Sequence, residues 1–591
     1  MSNAYAKRRV PASSAGSGRK ERGLAVFLIV LLSILALGGV LITRYQGSQV
    51  DGVPLDHAIS APDNPVVVEN QREGTDAWKS PNLDSYAQTM LLMQNQSEAY
   101  RRSYADSGGA FAQTSQWTRT KEIEGYASRS SINKGQSITF HVSSSVGAYN
   151  IRVYRQGWYG GNGGVQVAEV LNLPGTFYSA PAPDPVTGMV ALNWPVAYTL
   201  QTTTSWVSGV YLARLSPVGD DNYTSYIIFI VRDDGRPADI VYQLPLTTSQ
   251  AYNEWGGKSL YDYNSPGGRA YKVSFDRPYT QNDGAGLYFP GDYIMVMWLE
   301  KEGYDVKYIS SEDMETSSAL NGSKVFLTNF HDEYWSMNMY NNIISARNNG
   351  IDAAFFTSNN IYWQIRYEAS SGGVANRVMV CYKDADLDPM RNISPQLTTV
   401  LFRDPIVNMP ENEFLGVMFD NLMGYGEHRP WVVTNASHWF YNGTGLTNGA
   451  QINTLVGYEV DRYFNNGRAP ANVTLLSNSP YVNPSIQVDS LQQAAIYQAS
   501  SGAYVFNAST NYWSALLLGS WIWQHDTRVE QMTRNVLNQM IATGGTQVTN
   551  TPSLTPTITP SLTPVPSNLT FYRGINLAGN AAVIDGNNWE G

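Results

Sequence analysis

The chain has one cysteine, Cys381, in 591 residues. That excludes an intrachain disulfide and any cysteine-rich zinc site, so a metal would have to be held by oxygen or imidazole ligands. Charge is also scarce. Ionisable Asp, Glu, Lys and Arg make up 15% of the residues, with a net charge of −10. Nucleic-acid binding, which needs a basic stripe to neutralise phosphates, is not expected. The dense basic run, Lys7-Arg8-Arg9 with Arg19, Lys20 and Arg22, is confined to the extreme N-terminus. Long apolar runs are missing as well, with one exception. Leu24 to Ile42 is broken only by Ser33 and Gly38-Gly39.

That exception matches the roughly 20 residues a helix needs to cross a bilayer. Positive charge precedes it, which keeps the N-terminus in the cytoplasm and places the rest outside. A cleaved signal peptide is the competing reading. Its apolar core is usually about 7–15 residues and is followed by small residues. Thr43-Arg44-Tyr45 offers no such cleavage site, so an uncleaved single-pass anchor in the cell membrane is expected, with the bulk of the chain extracytoplasmic. The remaining composition is globular: 43% hydrophobic and 12% aromatic, including 38 Tyr and 15 Trp. At this length two or three domains are expected.

The pattern along the chain divides it further. A basic tail (1–23) and the transmembrane helix (24–43) precede a polar, Asn/Gln/Ser-rich stretch (44–119). This stretch reads as a stalk with one helical segment near Ser85–Arg102. Over 120–235, short alternating runs such as Ile138, Phe140, Val142 and Tyr226–Val231, punctuated by Gly and Pro, imply a β-sandwich. From 236 to 543 strands alternate with helices. Ile240–Tyr242, Tyr304–Ile309, Val325–Leu327 and Ala353–Phe356 read as strands. Asp292–Glu302, the segment after Ser336 and Asp526–Thr543 read as helices. That alternation implies an α/β domain with a mainly parallel sheet. A Thr/Pro/Ser-rich linker (544–567) follows. Residues 568–591 read as the start of a malectin-like or carbohydrate-binding module.

Ligands of parallel α/β sheets bind beyond the carboxyl ends of the strands. Two segments follow neighbouring strands directly: His331-Asp332-Glu333-Tyr334-Trp335 and Asn359-Asn360-Ile361-Tyr362-Trp363. A third, Gly457-Tyr458-Glu459-Val460-Asp461, is not placed by sequence alone. Taken singly, a tyrosine before a tryptophan is more often packing than ligation. Glu459 is equally consistent with an ion pair to Arg462, and His331 with a structural histidine.

In order along the chain, these segments resemble the large (beta) subunit of N,N-dimethylformamidase and its relatives. So do Ile123–Ser128, Val153-Tyr154-Arg155, Tyr252-Asn253, Ser259-Leu260-Tyr261, Trp298-Leu299-Glu300 and Val505–Ala508. The resemblance covers roughly residues 120–545. It implies a class I glutamine amidotransferase-like α/β domain and a mononuclear non-haem Fe(III) held by Tyr334, Tyr362 and Glu459. His331, Asp332 and Glu333 would be the catalytic side chains beside it. The implied activity is hydrolysis of a carbon–nitrogen amide bond other than a peptide bond. The expected partners are the membrane and either a small amide or an extracellular glycan or polymer; a homo-oligomer is compatible. Two alternatives stay open. One is a surface glycan-binding or adhesion protein on a non-catalytic version of the scaffold. The other is polymer hydrolysis by a carboxylate pair, Glu333 and Glu459.

Overall fold

The computed structural model describes residues 64–80, 122–220, 223–423, 427–482, 489–519 and 524–545, with the backbone of three short strands between 574 and 590. The expected anchor, the helical segment near 85–102 and nearly all of the Thr/Pro/Ser-rich linker lie outside the described residues. Among those residues no helix is long and apolar enough to cross a membrane. The architecture is mostly β-sheet and multidomain.

Alternation in the first body yields two facing sheets. Ser137–Ser144 pairs antiparallel with Ile123–Ala127 and Tyr198–Gln201. A five-stranded sheet runs in the order Ser131–Asn133, Ser225–Arg232, Gly209–Pro217, Tyr149–Gln156, Gly164–Leu173. Phe140 and Val142 of the first sheet share a core with Ile151, Val153, Tyr211, Ala213 and Phe229 of the second. Successive strand side chains point to opposite faces. The alternate residues Tyr154, Val210, Leu212, Tyr226 and Ile228 therefore enter a different core, shared with the segments beyond residue 236. Burial on both faces explains why Tyr226–Val231 reads as an unbroken apolar run.

Beyond residue 236, a seven-stranded sheet runs Val306–Ser310, Ala238–Leu244, Ser323–His331, Asp352–Ser358, Tyr504–Asn507, Ala495–Gln498, Thr474–Leu475. The first five strands are parallel, Ala495–Gln498 runs against them, and Thr474–Leu475 pairs antiparallel with Ala495–Gln498. Parallel neighbours need a crossover. Helix Met337–Asn348 supplies the one between Ser323–His331 and Asp352–Ser358. Its start is fixed by the Ser336 hydroxyl, which accepts from the Met339 amide, and it buries Met339, Ile343 and Ala346. Helix Thr527–Thr543 likewise buries Val529, Met532, Val536 and Met540, the stripe its sequence presents.

Two spans differ from their sequence pattern. Much of 363–492 does not continue the strand–helix alternation. It folds into short ladders instead, such as Met418–Leu422 with Glu459–Arg462, and Arg429–Val432 with Gln451–Val456. Residues 64–80, polar enough to read as stalk, pack on the body. Trp78 is fully buried and its indole donates to the Asn162 carbonyl. Asn64 and Asn70 donate to the Gly303 carbonyl and to Glu300. One large ring and two amides suffice to fasten a stretch whose average composition is hydrophilic.

Candidate active site

His331 is the last residue of its strand and Ser358, its register partner, the last of the neighbouring one. The chain turns sharply there. Phe330 has φ of +62°, a region that bulky residues adopt only at a cost in strain. Its carbonyl is held by the Thr357 hydroxyl, at 2.7 Å. Hydroxyls of helix Leu246–Tyr252 then grip the next residues. The Glu333 amide donates to Thr248 Oγ1, and Thr247 Oγ1 donates to the Tyr334 carbonyl. The amides of Tyr362 and Trp363 both donate to the Glu333 carbonyl, which brings the second segment alongside the first. Tyr334 and Trp363 are paired residues of parallel strands.

The side chains form a buried chain of polar contacts. Tyr334 donates its hydroxyl to that of Tyr261, at 2.6 Å. The Tyr261 hydroxyl is 3.2 Å from both Glu333 oxygens, and Tyr252 donates to Glu333 Oε2 at 3.0 Å. Glu333 Oε2 lies 3.5 Å from His331 Nε2, and Glu459 Oε2 lies 2.7 Å from the same nitrogen. His331 Nε2 and Glu459 Oε2 therefore form a close, fully buried ion pair whose hydrogen-bond alignment is poor. The other ring nitrogen, Nδ1, is 3.1 Å from the Tyr458 hydroxyl. Lys383 closes the cluster. Its ammonium lies 3.5 Å from the Tyr261 ring centroid, and 5.2 and 5.0 Å from those of Tyr334 and Trp363.

Of the residues singled out in the sequence, His331, Glu333, Tyr334 and Glu459 therefore meet in one cluster. Asp332 faces away from the cluster. Its carboxylate accepts from Gln243 Nε2 and the Thr328 hydroxyl, inside the sheet. Tyr362 lies at the margin. Its ring packs against Phe419 and the Arg403 guanidinium, and no hydrogen bond among the described residues joins its hydroxyl to the cluster. Tyr252, Tyr261, Tyr458 and Lys383 were given no role by the sequence patterns. Tyr252 and Tyr261 sit in segments that drew notice only as family motifs, and Tyr458 directly precedes Glu459.

Burial governs the electrostatics. It pushes the Glu333 carboxyl above its ordinary range, with the Glu459 charge adding to the rise and His331 opposing it. Burial pulls His331 down, but the charges of Glu459, Glu333 and Asp332 outweigh it and leave the imidazole raised. Tyr334 is pushed up by burial and by Glu333. Burial also takes Tyr362 up to about 12, against the Arg403 charge, and brings Lys383 down to about 8. In this buried cluster two carboxylates, Glu333 and Glu459, face two basic groups, His331 and Lys383.

The donor chemistry of the cluster suits a ferric ion. Carboxylate and phenol oxygens are hard donors that suit Fe(III) better than softer metals. Among the described residues no three His, Cys, Asp or Glu side chains are arranged to hold a metal ion, so a metal here would have to draw on the tyrosines. By donor type the residues fit, with Tyr334 and Glu459 in the cluster and Tyr362 at its margin.

Comparison with known families gives a match over residues 150–527 to the model described as N,N-dimethylformamidase beta subunit-like, C-terminal. A search of curated proteins returned no match. The family match spans well over half of the chain, and the protein belongs to that family.

Proposed function

We propose that this N,N-dimethylformamidase beta subunit-like protein hydrolyses a carbon–nitrogen amide bond at the His331–Glu333–Glu459 cluster, with Fe(III) held by Tyr334, Tyr362 and Glu459. The observation that carries this reading is the family match over residues 150–527. The convergence of four of the six singled-out side chains supports it.

A bound ferric ion would polarise the amide carbonyl and acidify water. The chain's own residues handle the protons. Glu333, raised by burial and fixed by the Tyr252 and Tyr261 hydroxyls, is suited to take a proton from the attacking water. The water oxygen bonds to the carbonyl carbon, and the C–N bond breaks as the same proton passes to the leaving amine. The products are a carboxylic acid and an amine. His331, within 3.5 Å of both carboxylates, holds their orientation and shares the positive charge. Tyr458 fixes its ring through Nδ1. The Lys383 ammonium offsets negative charge developing on the substrate oxygen.

Amine release from a panel of small amides, N,N-dimethylformamide included, tests this reading. Turnover should be abolished by Glu333→Gln and leave peptide substrates untouched. Full turnover in Glu333→Gln would remove the proposed role of that carboxylate.

A further inference from the structure

The two carboxylates of the cluster reach it on separate segments. Glu333 follows the strand Ser323–His331, whereas Glu459 begins the strand Glu459–Arg462, more than a hundred residues later. Something must fix one against the other. The His331–Glu459 ion pair, at 2.7 Å, joins side chains and leaves the two backbones to be fixed by other groups.

We propose that Asn511 is the positioning residue that sets this juxtaposition. Its side chain is buried and bridges the two segments. Asn511 Nδ2 donates to the Phe330 carbonyl at 2.6 Å, and Asn511 Oδ1 accepts from the Glu459 amide at 2.8 Å. Its own amide donates to the Gly457 carbonyl, also at 2.8 Å. One residue thus holds the peptide unit just before His331 and the backbone on either side of Tyr458.

The Phe330 end is the demanding one. Its positive φ is costly for a bulky residue and persists only where the surroundings over-determine it. Two donors converge on its carbonyl, Asn511 Nδ2 and Thr357 Oγ1. Only Asn511 also grips the other segment. An amide is the one side chain of this size that can donate on one side and accept on the other. The inference rests on the proposed metal-assisted reading for its meaning. The clamp itself is a statement about this chain's own residues.

Two substitutions separate positioning from mere support. Asn511→Asp keeps an acceptor for the Glu459 amide but turns an oxygen toward the Phe330 carbonyl. Thr357→Val removes the other bond to that carbonyl and leaves Glu459 untouched. Both should lower Tm by a similar few degrees. Asn511→Asp alone should weaken ferric-ion affinity, roughly ten- to hundred-fold as for other residues that orient metal ligands. It should also shift the visible absorption band of the iron-loaded protein. Crystal structures of the metal-free proteins supply a readout independent of iron and turnover. The approach of His331 Nε2 to Glu459 Oε2 should open in Asn511→Asp and persist in Thr357→Val. If Asn511→Asp does not fold, Asn511→Ala is measured with the same expectations. An unchanged approach and unchanged iron affinity in the Asn511 variant would overturn the proposal. A wild-type protein that binds no iron would instead sink the functional reading, with the clamp still judged by the crystallographic distance.

Discussion

At the scale of single residues, the interior holds carboxyls that pay heavily for being there. Asp292 is buried beside the sheet, and the Tyr242 hydroxyl donates to it at 2.5 Å. Burial pushes its pKa up to about 8, and the nearby Asp332 charge adds to the rise. The folded state therefore keeps this proton through a range in which the unfolded chain, titrating near 4, has released it. Stability must fall as pH rises across that window, by up to about 1.4 kcal/mol per pH unit for one such proton. Asp292→Asn carries no charge at any pH and still offers an acceptor to Tyr242. The variant should gain on the wild type steadily between pH 4 and 8, read as the difference in urea midpoints. A difference independent of pH would show that Asp292 titrates normally.

Residue identity was also where sequence reading reached its limit. His331, Glu333 and Tyr334 stood out because they directly follow a legible strand, whereas Glu459, which the pattern did not place, entered through the family resemblance. Tyr252, Tyr261 and Asn511 enter through tertiary convergence of segments more than 50 residues away in the chain, which periodicity does not report. Asp332 shows the same limit in reverse. It sits in the most suggestive segment of the chain, yet its carboxylate is taken up by Thr328 and Gln243, inside the sheet. Tyr362 follows the right strand, but its ring spends its contacts on Phe419 and Arg403.

Among the secondary-structure elements, the most legible were those with a long one-sided stripe. Helix Thr527–Thr543 and helix Met337–Asn348 lie where their apolar spacing puts them. The short ladders of 363–492 were not legible, because strands of four or five residues carry too few alternations to outweigh their turns. The joints between elements explain two motifs that the sequence presents without a role. Arg155 and Glu300 form a fully buried bidentate pair, with N···O distances of 2.8 and 2.9 Å, between strand Tyr149–Gln156 and helix Tyr293–Lys301. Tyr308 and Asn70 also donate to Glu300, and Arg155 donates to the Ser208 carbonyl. Breaking one partner of a buried pair strands a charge and costs about 3–5 kcal/mol. Glu300→Gln should lose stability of that order in urea unfolding. A loss below about 1 kcal/mol, as for an exposed pair, would contradict this joint.

At the scale of the whole molecule, the account assigns a family, a sheet-rich body and a site between its segments. The two-sheet sandwich and the five parallel strands were foreshadowed by the switch from period-two to mixed periodicity near residue 236. The packing of residues 64–80 on the body was not, because it rests on Trp78, Val66 and two asparagine amides in an otherwise polar stretch. We propose that Leu24–Ile42 anchors the chain and leaves this body outside the cytoplasm. The full-length protein should then stay with membranes after alkaline carbonate washing, and release into the wash would refute the anchor.

The central claim is that phenol and carboxylate oxygens of this cluster hold a ferric ion. Metal analysis of the purified full-length protein, read together with its visible absorption, tests it most directly. The account predicts one iron per chain and a phenolate-to-iron band in the wild type, both lost in Tyr334→Phe and Glu459→Gln. Amide hydrolysis by an iron-free wild type, or iron and band retained in both variants, would contradict it.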